Sequence, residues 1–182
     1  MSDHFAVFAL DRAPWLDAEV LRERFHRLSA ARHPDSASGS TAAFTELNAA
    51  WQILREPATR LRHFLELEHP ETINPKAQPP TQLAELFMEI GSLQQAVQQF
   101  RARQTAATSP LTRALLEPTR IALQNLATQL AAQITTQHET AILATRADAA
   151  SPAKLADTLT TLTFLSKWSD QLRQTKLALQ ET

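Results

Sequence analysis

Residues 20–54 read VLRERFHRLSAARHPDSASGSTAAFTELNAAWQIL, two apolar-periodic runs on either side of a short polar loop. In the first run Val20, Leu21, Phe25 and Leu28 recur at helical spacing, and in the second Phe44, Leu47, Trp51 and Leu54 do the same. That is the period of a helix with one buried face. The loop from Pro34 to Thr41 is short, so the two helices are expected to lie antiparallel. It opens with His33-Pro34-Asp35. Proline fixes its own φ and pushes the preceding residue toward extended geometry, so the tripeptide is stiff and can present an imidazole and a carboxylate outward. Taken alone it also reads as chance, with His33 solvated and Asp35 opening a turn beside proline.

Prolines divide the rest of the chain. A cluster at Pro70, Pro75, Pro79 and Pro80 marks a linker, because each proline removes an amide donor and restricts its neighbour. Before it a short helix is expected around Phe5 to Ala9, then helices from about Asp17 to Ala31, Thr41 to Arg55, and Pro57 to about Glu68, with Pro57 at a first-turn position. After it Leu83, Leu86, Phe87, Ile90, Leu93, Val97 and Phe100 mark a long amphipathic helix ending before Ser109-Pro110. A second carries Ile121, Leu126, Leu130 and Ile134, with Pro118 either opening it or kinking an earlier start. A third begins near Ser151-Pro152 and carries Leu155, Leu159, Leu162, Leu165, Trp168 and Leu172. Short connections between long helices imply an antiparallel bundle. The expected fold is all-α: an N-terminal domain over 1–70, a linker over 71–80, and a three-helix domain over 81–182.

Composition agrees with helix throughout. Glycine occurs only at positions 39 and 91, tyrosine is absent, and the hydrophobic fraction is 43% over 182 residues, enough for one good core or two small ones. The formal net charge is -1, which gives no broad field for nucleic acid or an anionic membrane. With no cysteine, disulfides, thiolate ligands and cysteine nucleophiles are excluded within the chain. Met1 to Leu10 carries no apolar run of signal-peptide length, and no later segment approaches a membrane span, so a soluble, cytoplasmic protein is expected.

The helix, HPD loop, helix arrangement resembles the J-domain of DnaJ-type co-chaperones. His4-Phe5-Ala6-Val7-Phe8-Ala9-Leu10 resembles that family's aromatic-rich opening helix, Leu47-Asn48-Ala49-Ala50-Trp51-Gln52-Ile53-Leu54 its third helix, and Arg60 its later arginine. The resemblance implies that His33, Pro34 and Asp35, with the basic face of the second helix, engage a DnaK-type chaperone and accelerate its ATP hydrolysis. A helical wheel anchored on Leu21, Phe25 and Leu28 turns Arg22, His26 and Arg27 toward solvent, with Arg24 at the flank. The same residues, diluted by Glu23, also suit an ordinary solvated surface. Arg32 stands where the family has an aromatic, and Ser36 where it has lysine.

The second half narrows the resemblance to the HscB type, which serves iron-sulfur cluster assembly. Residues 48–57 and Arg60 through Leu67 resemble its third and fourth helices, Leu86-Phe87-Met88-Glu89 its FLME-like stretch, and Leu162-Thr163-Phe164-Leu165-Ser166-Lys167 its final-helix LRFLDK stretch. By that resemblance the C-terminal helices hold the cluster scaffold IscU while the J-domain recruits the chaperone HscA. Phe87, Met88 and Phe164 are the matching client positions, with Gly91 and Ser92 on the same face. Met and Phe suit partner binding, though such residues also serve as core; adjacent Phe87 and Met88 cannot both point inward with Leu86 and Ile90, so at least one is expected to be exposed. Gly91, Ser92, Gln95 and Gln99 replace the family's acidic and leucine positions, so either the scaffold has changed to match or the client is another protein. Gly91, about 1 kcal/mol less favourable than alanine in a helix, suggests close packing or a bend.

Some HscB-type proteins add a cysteine-based zinc module, but without cysteine no metal or other cofactor is expected. The six histidines, His4, His26, His33, His63, His69 and His138, form no HExxH pattern or carboxylate cluster. No G-x-S-x-G, P-loop or Rossmann signature is present. The expected role is therefore non-enzymatic. A co-chaperone that stimulates a DnaK/HscA-type ATPase and delivers an IscU-type scaffold comes first, with a different client or a helical adaptor without ATPase stimulation as alternatives.

Overall fold

The computed structural model describes residues 2–34 and 40–180. Among them are seven α-helices: α1 (His4–Val7), α2 (Ala18–Arg32), α3 (Thr41–Arg55), α4 (Pro57–Glu68), α5 (Ala84–Ala106), α6 (Pro110–Ala147) and α7 (Pro152–Ala178). Single 3-10 turns lie at Pro70–Thr72 and Thr81–Leu83, and no strand is present among the described residues.

Local chemistry sets the starts. The Asp3 carboxylate accepts from the amides of Phe5 and Ala6, Asp17 from those of Glu19 and Val20, the Ser40 hydroxyl from Ala43, and the Ser109 hydroxyl from Thr112. Each satisfies donors that the first helical turn leaves orphaned. Pro57, Pro110 and Pro152 take first positions, where no amide is needed. Pro118 lies inside α6, so the long helix starts earlier, at Pro110.

The chain packs as two compact units, one of residues 1–77 with 141–162 and one of 78–140 with 163–182. In the first unit α3 packs against α1, α2 and α4. Phe25 stacks on Trp51 at 4.5 Å and His33 meets the edge-on ring of Phe44 at 5.4 Å; as one number rises the other falls, the register of an antiparallel pair. The core comprises Phe5, Phe8, Leu21, Leu47, Leu54, Leu61 and Leu65 together with Ala141, Leu155, Leu159 and Leu162 from α6 and α7. Val20, read as part of the buried stripe, is instead 55% exposed, because the stripe is centred on Leu21 and Val20 lies about 100° away around the helix.

In the second unit one face of α5 (Leu86, Ile90, Leu93, Val97, Phe100) packs with Leu123, Ala127, Leu130 and Ile134 of α6 and with Leu165, Trp168 and Leu172 of α7. The apolar row on α6 differs from the one expected: Leu130 and Ile134 are buried, whereas Ile121 and Leu126 are exposed. At 100° per residue Leu123, Ala127, Leu130 and Ile134 fall within about 60° of one another around the helix, whereas Ile121 lies on the opposite side and Leu126 at the edge of the stripe. No described helix is long and apolar enough to cross a membrane.

Candidate functional site

The expected chaperone face lies on the first unit. His33 is the residue after α2, at φ -59° and ψ 139°, the extended geometry that a following proline imposes. His33 and Pro34 are both exposed; Asp35 lies outside the described residues. Arg32, in place of the family's aromatic, donates from Nη2 to the Val7 carbonyl at 3.0 Å, tying the last turn of α2 to the end of α1. Arg22, His26 and Arg27 are exposed along α2, and Arg24 is half-buried. Arg22 is not a lone cation: its Nη2 stands 2.8 Å from Glu19 Oε1, with both side chains largely exposed, a pairing of little energetic weight.

Behind that face the hairpin is held by a buried arginine. Arg60, 4% exposed, donates from Nη1 to the Leu54 carbonyl at 2.9 Å and from Nε to the Pro14 carbonyl at 3.4 Å. It thereby closes one of the carbonyls that the end of α3 leaves open. Loss of hydration pushes its guanidinium down to about 10, against the attraction of Glu56, so it stays charged at neutral pH.

The expected client face lies on the second unit. Phe87 and Met88 are 49% and 67% exposed; Phe164 is half-buried against the core. Phe87 and Phe164 each lie 5.8 Å, ring centre to ring centre, from Trp168, which is itself 3% exposed. Helices α5 and α7 thus bring together two partly exposed rings around one buried indole. Trp168 reads in the sequence only as a core position; its place four residues after Phe164, one turn along the same helix face, is the signal that it underlies the pair. Gly91 and Ser92 are exposed one turn beyond Phe87 and Met88. The expectation of close packing at Gly91 is corrected: a Cβ built there meets nothing within 4 Å, because the glycine is on the outer side of α5. Among the described residues no three histidine, aspartate or glutamate side chains gather as a metal site would require.

No protein-family profile matches the chain. Among solved structures it is similar to the chaperone HscB from Vibrio cholerae, at 19% identity and a TM-score of 0.62, covering 98% of this chain and 99% of that one. It is also matched to the human co-chaperone protein HscB, at 18% identity and a TM-score of 0.49, covering 97% of this chain and 85% of that one. The first of these likenesses spans both the N-terminal helices and the three long C-terminal ones. Along nearly its whole length, the chain has the fold of the HscB chaperone.

Proposed function

We propose that this protein is an HscB-type J-domain co-chaperone: it stimulates ATP hydrolysis by a DnaK/HscA-type chaperone and delivers an IscU-type scaffold for iron-sulfur cluster assembly. The observation that carries the reading is the exposed His33-Pro34 at the end of α2, held by Arg32 and Phe44 and followed in sequence by Asp35. The hydrolytic chemistry belongs to the partner. This chain contributes binding energy that differs between the partner's conformations, the only means by which one protein can shift another's equilibrium.

In this reading Arg22, His26 and Arg27 supply attraction toward an acidic surface of the chaperone, governing encounter more than affinity. Phe87, Met88 and Phe164, with Gly91 and Ser92 alongside, form the client surface, where partly exposed aromatics act as anchors. Uncharged Gln95 and Gln99 on that face favour a second reading, in which the J-domain activity is kept and the client is a different protein.

Steady-state ATP hydrolysis by the chaperone, measured with this protein or its His33→Gln variant and with or without the scaffold, tests both halves. Stimulation that needs His33 and rises further with scaffold is expected, and Phe87→Ala with Phe164→Ala should remove the scaffold increment while leaving basal stimulation. Stimulation indifferent to scaffold reassigns the client. Stimulation indifferent to His33→Gln overturns the role given to the tripeptide, and absence of stimulation leaves a helical adaptor.

A further inference from the structure

The charge of the second unit is unevenly spread. Residues 91–106 of α5 and 163–178 of α7 carry Arg101, Arg103, Lys167, Arg173 and Lys176 against a single acid, Asp170, in a chain whose net charge is -1. Asp170 is already engaged, its Oδ1 accepting from Arg173 Nη2 at 2.8 Å. Between these two helix segments runs a groove of about 640 Å³, lined by Gln94, Val97, Gln98 and Arg101 on one side and by Lys167 and Gln171 on the other, with Asp170 also on its wall. Arg101 and Lys167 make no ion pair among the described residues and are exposed.

The groove continues the aromatic face. Gln94 is seven residues, two helical turns, beyond Phe87 on α5, and Lys167 is three residues beyond Phe164 on α7, so each pair shares a stripe of its helix. From Gln94 to Arg101 the groove spans about 10 Å, two turns of helix.

We propose that this groove docks an acidic amphipathic segment of a client protein, extending the Phe87, Trp168 and Phe164 surface; the inference rests on the reading of that surface as a client site. Carboxylates meet Arg101 and Lys167, apolar side chains cover Val97 and the aliphatic stems beside it, and the amides of Gln94, Gln98 and Gln171 supply both donors and acceptors at the rim. Charge complementarity selects the occupant. A nucleic acid is disfavoured because two cations beside a carbon-lined floor neutralise few phosphates, and affinity for nucleic acid grows with the number neutralised.

The test uses the full chain and a labelled 15-residue amphipathic peptide with glutamates on its polar face, followed by fluorescence anisotropy. Its lysine-substituted counterpart and a single-stranded oligonucleotide of equal charge serve as comparisons. Wild-type protein is expected to bind the acidic peptide at least about tenfold more tightly than the basic one, with the preference shrinking as salt rises. Arg101→Glu with Lys167→Glu should reverse that preference, whereas charge reversal at exposed Arg55 and Arg62 of the first unit should leave it unchanged. Equal binding of the two peptides, an undiminished preference in the Arg101/Lys167 variant, or equally tight binding of the oligonucleotide overturns the proposal. Because no chaperone or scaffold takes part, failure of ATPase stimulation bears on the co-chaperone reading and leaves this result standing.

Discussion

The backbone amide of His4 donates to Nε2 of His63 at 3.1 Å, and the two imidazole rings lie 4.6 Å apart. His63 is 4% exposed and also stacks on Phe5 at 5.6 Å, so one side chain of α4 fastens the start of α1. A protonated Nε2 would turn a donor toward a donor. Burial holds the His63 imidazole below its ordinary 6.5, helped by His4 and Arg12 and opposed by Asp3 and Glu66. The folded state therefore binds fewer protons at this site than the unfolded chain does. The stabilisation is complete above pH 6.5 and declines as the pH falls below it, by at most about 1.4 kcal/mol per pH unit for one proton. Urea midpoints between pH 7.5 and 5.5 should fall for the wild type and fall less steeply for His63→Gln; equal slopes would show that another group governs this window.

Arg60 is expected to be the costliest polar position in the first unit. Truncation to alanine removes the partner of the Leu54 carbonyl and opens space in the core, two effects that together cost about 2–4 kcal/mol. Arg60→Lys keeps the charge but cannot reach the Leu54 and Pro14 carbonyls together, so it should recover only part of the loss. Thermal unfolding of the three proteins checks the order; a lysine variant as stable as wild type would mean that the fork of the guanidinium is not what holds the end of α3.

Some helix starts were legible in the sequence because capping is local. Pro57 and Ser151-Pro152 announce α4 and α7 through chemistry within one turn, whereas Ser109-Pro110 reads only as the end of α5 and Pro118 leaves the start of α6 open. The buried face of α7 was equally plain, since its leucines and Trp168 form one dominant row. On α6 two apolar rows compete, Leu111, Leu115 and Leu126 against Leu116, Leu123 and Leu130, and only neighbouring helices decide which is covered. The joining of Ala141, Leu155, Leu159 and Leu162 to the N-terminal core is a contact between residues far apart in sequence and leaves no local mark. The sites divide in the same way. The tripeptide at His33 and the exposure of Phe87 or Met88 follow from sequence, whereas the indole that Phe87 and Phe164 share is visible only once α5 and α7 are side by side.

Two small residues sit where each would be better served by the other. Ala9, just beyond α1, adopts φ 50°, the left-handed region in which a Cβ costs about 1–2 kcal/mol. Gly91 occupies a helix interior with open space around its missing Cβ, at a cost of about 1 kcal/mol relative to alanine. Ala9→Gly and Gly91→Ala should each raise stability, by about 0.5–1 kcal/mol, and should add when combined because they lie in separate units. Denaturant titration of both singles and the double variant measures this. A destabilised Gly91→Ala would mean that the site is less open than its surroundings indicate.

The aromatic cluster separates stability from recognition. Trp168 is 3% exposed and Phe87 49%, although their rings touch. Removing the indole empties a core position, so Trp168→Ala should cost about 3–5 kcal/mol. Phe87→Ala removes a ring that water already half covers, so it should cost less than about 1 kcal/mol. Trp168→Leu keeps apolar volume under the two phenylalanines but leaves them no flat surface to rest on. It is expected to unfold at a denaturant concentration between those of wild type and Trp168→Ala, and to weaken scaffold binding more than its loss of stability accounts for. Affinity for the scaffold measured by calorimetry, at a temperature where every variant is fully folded, makes the comparison. Full affinity in Trp168→Leu would assign the indole to the core alone and leave recognition to the exposed edges of Phe87 and Phe164.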